Sequence, residues 1–214
     1  MKLSIIIPAK NEEHYIKKAL QSVKNQFQKG DEVIVVCSSC TDQTEQVAKR
    51  YTKKVYNHKG NVSEARNYGA KKAKNNILIF LDADSTISNN LLKEIRKTIE
   101  SGAIGGTCKT QTLEPSWKAD IIWAIGNFGR NFFLAASGLF FCTKETFNKV
   151  KGYDEKLTIA EDTYLILALK KHGKLKYIRN AHIKTSARRM EKEGYLKTIY
   201  IQFKGFFIKS FNQY

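Results

Sequence analysis

The sequence predicts an α/β fold: a mostly parallel sheet with helices on both faces. Short runs rich in β-branched and apolar residues alternate with segments of helical periodicity. The turns joining them are short, as they are where successive elements pack side by side. The run Ile77-Leu78-Ile79-Phe80-Leu81 is apolar without a break, as expected of a strand buried on both faces. It leads directly into Asp82-Ala83-Asp84, at the strand end where open α/β sheets bind their ligands.

Lys2 to Ile7 reads as the first buried strand, broken by Pro8-Ala9-Lys10-Asn11. From Glu12 to Val23 the apolar residues Tyr15, Ile16, Ala19, Leu20 and Val23 recur at helical spacing. Gly30-Asp31 marks a turn before a second strand, Glu32 to Cys37. Thr41 is the expected cap of a helix from Asp42 to about Tyr51. A short strand at Val55-Tyr56 follows, then a helix from Glu64 to Lys74 with Ser63 as its expected cap.

Beyond the acidic motif, Leu91, Leu92, Ile95 and Ile99 define an amphipathic helix from Asn89 to Ser101. Gly102 to Gly106 leads into a strand or loop, and Trp117 to Phe133 reads as a helix or a mobile flap. Ser137 to Cys142 is a strand, Lys144 to Val150 a short helix, and Gly152-Tyr153-Asp154 a turn. Glu161-Asp162 opens a helix through Leu169, and Lys174 to Ile178 and His182 to Thr185 are expected edge strands.

The 214 residues fit one domain, with 42% hydrophobic and 27% charged residues, which excludes a disordered chain. The net charge is +17, and its placement is uneven. After Asp162 there are twelve Lys/Arg against Glu191 and Glu193, so that segment holds +10 of the total. Such a bias suits a polyanionic partner: nucleic acid, an acidic membrane surface or a phosphorylated ligand. Lys17-Lys18, Lys53-Lys54 and Lys71-Lys72 also show a general lysine richness. Four cysteines at this length do not make a disulfide scaffold. Cys37 and Cys40 have redox or half-zinc spacing but lack a second pair. The apolar run Ile5-Ile6-Ile7 ends at Pro8, so no signal peptide is expected, and no uninterrupted run reaches spanning length. The expected location is cytoplasmic, with peripheral attachment to the inner face of the membrane left open.

Two carboxylates one residue apart repel each other unless a cation or a set of donors lies between them. A divalent metal shared with phosphate oxygens meets that need. Asp84 or Ser85 starting the next helix is the alternative. Pro8, Ala9 and Glu12 lie at the end of the first strand, beside the same crevice. Arg66, in Ser63-Glu64-Ala65-Arg66-Asn67, sits on a helix directed toward it, where a guanidinium can pair with a base edge, a ribose or a phosphate.

The order of these segments resembles family 2 glycosyltransferases of the Rossmann-like GT-A fold. The carrying stretches are IIIPAKNEEHYIKKALQSV, DEVIVVCSSCTDQT, SEARNYGAKKA, ILIFLDADS, SGLFFCTKETFNKVKGYDEKL and EDTYLILAL, which together span roughly residues 2 to 180. The resemblance implies an inverting transfer of one sugar from a nucleotide-diphosphate sugar to an acceptor hydroxyl or lipid phosphate. It implies that Pro8, Ala9 and Glu12 hold base and ribose, that Asp82 faces the ribose, and that Asp84 ligates Mn²⁺ or Mg²⁺. It also implies Asp162 as the general base, with Glu161 positioning the acceptor or its loop, and Arg188 and Arg189 closing over the diphosphate. Cys37-Ser38-Ser39 stands where family members often carry two acids and a glycine, which leaves a UDP, a GDP or another donor equally open. The Gln-x-x-Arg-Trp signature of processive synthases is missing, which favours single addition.

Residues 1–190 are thus expected to form the transferase domain, and 191–214 a C-terminal basic aromatic helix. Leu196, Ile199, Tyr200, Phe203, Phe206, Phe207 and Phe211 recur at three- and four-residue spacing, with Lys197 and Lys204 on another side. That segment can lie on an acidic membrane or pack on the enzyme or on a second copy, so oligomerisation is left open. The acceptor is accordingly a sugar, a protein-linked group or a polyprenyl lipid. A metal-dependent nucleotidyltransferase is the alternative; it explains Asp82 and Asp84 but not Asp162 or Arg66. A basic nucleic-acid-binding module fits less well, because its expected motifs are missing and the acids cluster at strand and helix ends.

Overall fold

The computed structural model describes residues 1–133, 138–157 and 160–195. Eight strands form one sheet: β1 (Leu3–Ala9), β2 (Glu32–Cys37), β3 (Val55–Asn57), β4 (Ile77–Leu81), β5 (Ser85–Ile87), β6 (Gly105–Thr112), β7 (Leu139–Thr143) and β8 (Leu175–Thr185). Their spatial order is β3-β2-β1-β4-β7-β6-β8-β5. The β3-β2-β1-β4 half is parallel throughout. Strand β7 then runs antiparallel to both β4 and β6, β8 is parallel to β6, and β5 is antiparallel to β8. The chain is therefore α/β with a mostly parallel sheet, as its alternation of elements predicts.

Helices α1 (Ile16–Lys24), α2 (Thr44–Lys49) and α4 (Leu91–Glu100) face α3 (Val62–Lys72), α6 (Lys144–Lys149) and α7 (Glu161–Lys170) across that sheet. Side chains alternate between the faces along each strand. Leu3, Ile5 and Ile7 join Ile16, Leu20, Leu92 and Ile95 in one core. Ile6, Leu78 and Phe80 join Ala65, Phe147, Leu165 and Leu169 in the other. Each fully buried aliphatic side chain contributes roughly 1.5–3 kcal/mol, so covering both faces explains why β1 and β4 carry no polar stripe. Gly69 lets α3 lie directly on β1, since a Cβ there would collide with the Ile6 side chain. Helices α5 (Trp117–Phe133) and α8 (Arg188–Glu193) are the remaining helices among the described residues. The segment from Trp117 thus resolves as a helix.

Four local expectations change. Ser85 begins strand β5 rather than a helix, because its backbone finds partners on β8 at Thr185. Thr41 caps nothing; its N–H and hydroxyl donate to Asn11, and α2 starts at Thr44, whose N–H donates to Asp42 at 3.0 Å. Asn61, not Ser63, caps α3. Its side chain accepts from Glu64 N–H at 3.0 Å and Glu64 accepts from Asn61 N–H at 2.6 Å, satisfying two helix-end donors reciprocally. The two expected edge strands are one eleven-residue strand, β8, which lies inside the sheet between β6 and β5.

Helix α8 runs across residue 190, and Ala187, Met190 and Tyr195 pack with Ala119, Ile122 and Trp123 of α5 in a third apolar cluster. The expected C-terminal amphipathic helix, from Leu196 onward, lies outside the described residues. No helix among the described residues is long and apolar enough to cross a membrane.

Candidate active site

The carboxyl ends of β1 and β4 open on a cleft of about 490 Å³. Pro8, Ala9, Lys10 and Glu12 line one side, Ser38 and the α3 entrance Gly60-Asn61-Val62 another, and Asp82-Ala83-Asp84 the floor. Arg66, Glu161, Arg188 and Arg189 complete it. The sequence-predicted site residues therefore gather in one place, with Asp162 immediately behind Glu161.

Arg66 projects from the second turn of α3 into the joint between β4 and α7. Its Nη2 donates to Asp82 Oδ1 at 2.9 Å and its Nη1 to Glu161 Oε1 at 2.9 Å, with Asp162 Oδ1 3.4 Å away. The guanidinium stands 5.1 Å from the Tyr153 ring. Arg66 thus lines the cleft with its guanidinium paired to carboxylates. The Tyr153 hydroxyl, buried in the turn after α6, donates to Asp162 Oδ1 at 3.0 Å. Both described contacts use Oδ1, and Oδ2 makes no hydrogen bond among the described residues. Burial pushes the Asp162 carboxyl up to about 6 despite the pull of Arg66, with Glu161 and Asp82 adding to the rise.

A second group forms around Arg188 at the start of α8. Its guanidinium pairs with Glu12, lies 3.4 Å from Asp84 Oδ2, and stacks over the Tyr15 ring at 4.6 Å. Asp84 is held from behind, where Thr185 donates to Oδ1 at 3.3 Å and Ser186 N–H to the backbone carbonyl. Burial pushes the Asp84 carboxyl up to about 7, and the neighbouring charges of Asp82 and Glu12 add to it. Glu12 is also raised, by burial, against the Arg188 pair, and its buried Oε2 has no partner. Burial and the mutual repulsion of these acids thus outweigh the pull of Arg188.

Ala9 lines the cleft, but its carbonyl is used internally by Ser38 N–H at 2.8 Å and the Cys40 thiol at 3.4 Å. Asp42 accepts from Thr44 and from Glu13 N–H, so it braces the loop after β1 rather than facing the cleft. Residues that sequence reasoning passed over are Tyr153, Tyr15 and Ser38. Ser38 was noted only as a replacement for an acid, Tyr15 only as one of the apolar positions of a helix, and Tyr153 only as part of a turn.

A family model described as glycosyl transferase family 2 matches residues 4–155, which hold β1 to β7 and both carboxylates of the Asp82-Ala83-Asp84 floor. The chain belongs to glycosyl transferase family 2. Within that family it is similar to poly(ribitol-phosphate) beta-N-acetylglucosaminyltransferase TarS of Staphylococcus aureus. The two are 34% identical over 109 residues, which is 47% of this chain and 19% of TarS. The chain thus spans about a fifth of that relative's length. A crystal structure of a TarS fragment in complex with UDP-GlcNAc superposes with a TM-score of 0.68 at 21% identity, covering 85% of this chain and 58% of the other. The mannosyltransferase PcManGT from Pyrobaculum calidifontis, in complex with GDP-Man and Mn²⁺, gives 0.69 at 15% identity, covering 86% and 56%. At such identities the likeness establishes the GT-A fold.

Proposed function

We propose that this chain transfers one sugar from a nucleotide-diphosphate sugar to an acceptor hydroxyl or lipid phosphate, with inversion and with help from Mn²⁺ or Mg²⁺. The observation that carries the reading is Asp162, a buried carboxylate held by Arg66 and Tyr153 through Oδ1 beside a cleft of acids and arginines. In support, the relatives' structures were solved with UDP-GlcNAc or with GDP-Man and Mn²⁺.

The nucleoside lies along Pro8, Ala9 and Ser38, with Asp82 turned to the ribose. Arg188 and Arg189 meet the diphosphate, and Arg188 exchanges Glu12 and Asp84 for phosphate oxygens. The chemistry of the donor set fits a hard divalent cation. Asp84 offers carboxylate oxygen and Glu12 an unpartnered one, and no group of three His, Cys, Asp or Glu forms a closed metal site among the described residues. Mg²⁺-type sites complete their shell with phosphate and water, so one or two carboxylates suffice. Held by Asp84, such an ion would supply Lewis-acid neutralisation of the departing diphosphate.

Asp162 Oδ2 accepts the proton of the acceptor hydroxyl as its oxygen bonds to the anomeric carbon and the bond to the diphosphate breaks. Attack from the face opposite the leaving group inverts the anomeric centre. Glu161 keeps Arg66 in place and borders the acceptor side.

Incubating the chain with a panel of nucleotide sugars, Mn²⁺ and simple acceptors tests the reading. Nucleoside diphosphate release and an inverted anomeric centre by NMR are expected. Retained configuration would sink the inverting mechanism, and pyrophosphate release would point instead to nucleotidyl transfer.

A further inference from the structure

Helix α5 is apolar on two opposite faces. At 100° per residue, Ala119, Ile122, Trp123 and Gly126 form one face, which is buried, and Ala119, Ile122 and Trp123 there pack on Ala187 and Met190. Trp117, Ile121, Ile125 and Phe128 lie on the other, within an arc of about 80°. These four are 70%, 52%, 58% and 72% exposed, and apart from Met1 they are the large hydrophobic side chains so exposed among the described residues. The helix cannot turn to hide them, because the Asn127 amide is locked to Thr110 of β6, accepting from its N–H at 2.9 Å and donating to its carbonyl at 2.7 Å. A surface helix in water keeps a mostly polar outer face, whereas here four large apolar side chains occupy it beside Lys118 and Asp120.

Cations stand at both ends of the exposed stripe. The Lys118 ammonium lies 5.6 Å from the Trp117 ring and 5.8 Å from that of Tyr195. At the other end Phe128 shares a groove of about 390 Å³ with Lys109 and Arg179. Asp120 is the one acid on the exposed side of the helix. The chain that continues past Tyr195 adds three lysines and no acid over its last nineteen residues.

We propose that the exposed face of α5 docks on an anionic lipid surface. An aromatic and aliphatic stripe about 17 Å long, flanked by lysine and arginine, matches the headgroup boundary of such a bilayer. The apolar side chains enter the acyl boundary while the cations meet lipid phosphates. A second copy of this chain matches poorly, since a net charge of +17 sets two such faces against each other. The position of α5 gives the docking a purpose. Glu114, just before the helix, accepts from Ala187 N–H beside Arg188. Beyond its far end, the Gly138 carbonyl accepts from Asp82 N–H at 3.0 Å. Docking therefore brings the bilayer alongside the cleft, where a lipid-borne acceptor is presented.

The test is flotation of the full chain with phosphatidylcholine vesicles, alone and mixed with phosphatidylglycerol. Binding is expected to the mixed vesicles and to fall with added salt. Replacing Trp117, Ile121, Ile125 and Phe128 together by serine should reduce it at least about tenfold, with the thermal midpoint kept. Lys118→Glu combined with Lys109→Glu should weaken it on mixed vesicles alone. Undiminished binding by the serine variant overturns the proposal. So does a dimer in light scattering that the variant abolishes without any vesicle binding, which assigns the face to a second copy. A large fall in thermal midpoint with binding unchanged assigns it to the chain's own interior. The assay needs no turnover, so its failure leaves the transfer reading standing.

Discussion

Two arginine clusters face the same cleft and are built in opposite ways. Arg66 is 5% exposed and ties together Asp82, Glu161 and Asp162, acids that come from two separate elements. Arg188 is 40% exposed and rests on Glu12, Asp84 and the Tyr15 ring. Solvent screening makes an exposed pair worth little, whereas removing one member of a buried network strands the others. The first cluster is thus a fixed frame, and the second is a set of contacts that an anionic ligand can replace. That contrast ranks the expected effects of mutation.

The largest effect belongs to the frame's reactive member. Asp162→Asn should lower kcat by about 10³-fold while metal-dependent donor binding, read by calorimetry, changes little. In the wild-type chain, kcat/KM should fall as the pH drops through about 6, because burial holds the Asp162 carboxyl there and its protonated form cannot accept a proton. A flat acid limb in that range removes Asp162 from the role of base.

Arg66→Met should cost roughly 3–5 kcal/mol in urea unfolding, since three acids lose their shared cation. The sign with pH follows from the raised Asp162 carboxyl. Stranded acids take up protons more readily in the folded state, so the deficit should shrink as the pH is lowered from about 8 toward about 5. A deficit independent of pH would mean that packing, not charge, holds the cluster.

In the replaceable cluster, Asp84→Ala should weaken Mn²⁺-dependent donor binding by about 100-fold with little loss of fold stability. Arg188→Ala should raise the donor KM by about tenfold, a salt-sensitive change that leaves kcat nearly intact. If Arg188→Ala destabilises the chain as much as Arg66→Met, the contrast between the clusters is wrong. The smallest effect is expected of Tyr153→Phe. It deletes one hydrogen bond that favours the Asp162 carboxylate, so the acid limb should move toward higher pH with modest loss of rate.

Much of this arrangement was legible in the residues. A long apolar run such as Ile77 to Leu81 fits a doubly buried strand, and the acids at its end mark the cleft, where arginines meet them. Of the two three-residue strands, β3 was legible and β5 was not. Strand β5 has no period to detect, and it exists because Thr185 pairs with Ser85 across a hundred positions. Capping by Asn61 was obscured by a chemically equivalent serine two residues on, and the choice falls to Asn61 because its side chain also donates to the Glu155 carbonyl at 2.7 Å. The partners of Arg66 were hidden for the same reason. Its helix points the right way, but which acids it meets depends on α7 docking beside β4. Tyr153 reads as part of a turn, and the structure buries its ring in the core while its hydroxyl reaches Asp162.

The late position of β8 in the chain has a consequence for the order in which the molecule assembles. Asp84 meets Thr185 and Arg188 only when this strand is seated between β6 and β5, and those residues are separated by 101 and 104 positions. Closing so long a loop is entropically costly and comes after local pairing. On the ribosome, the β1 to β4 half can form while β8 is still being made. The nascent chain therefore builds the β1 to β4 half of its sheet before the corner where Asp84 meets Thr185 and Arg188 can close.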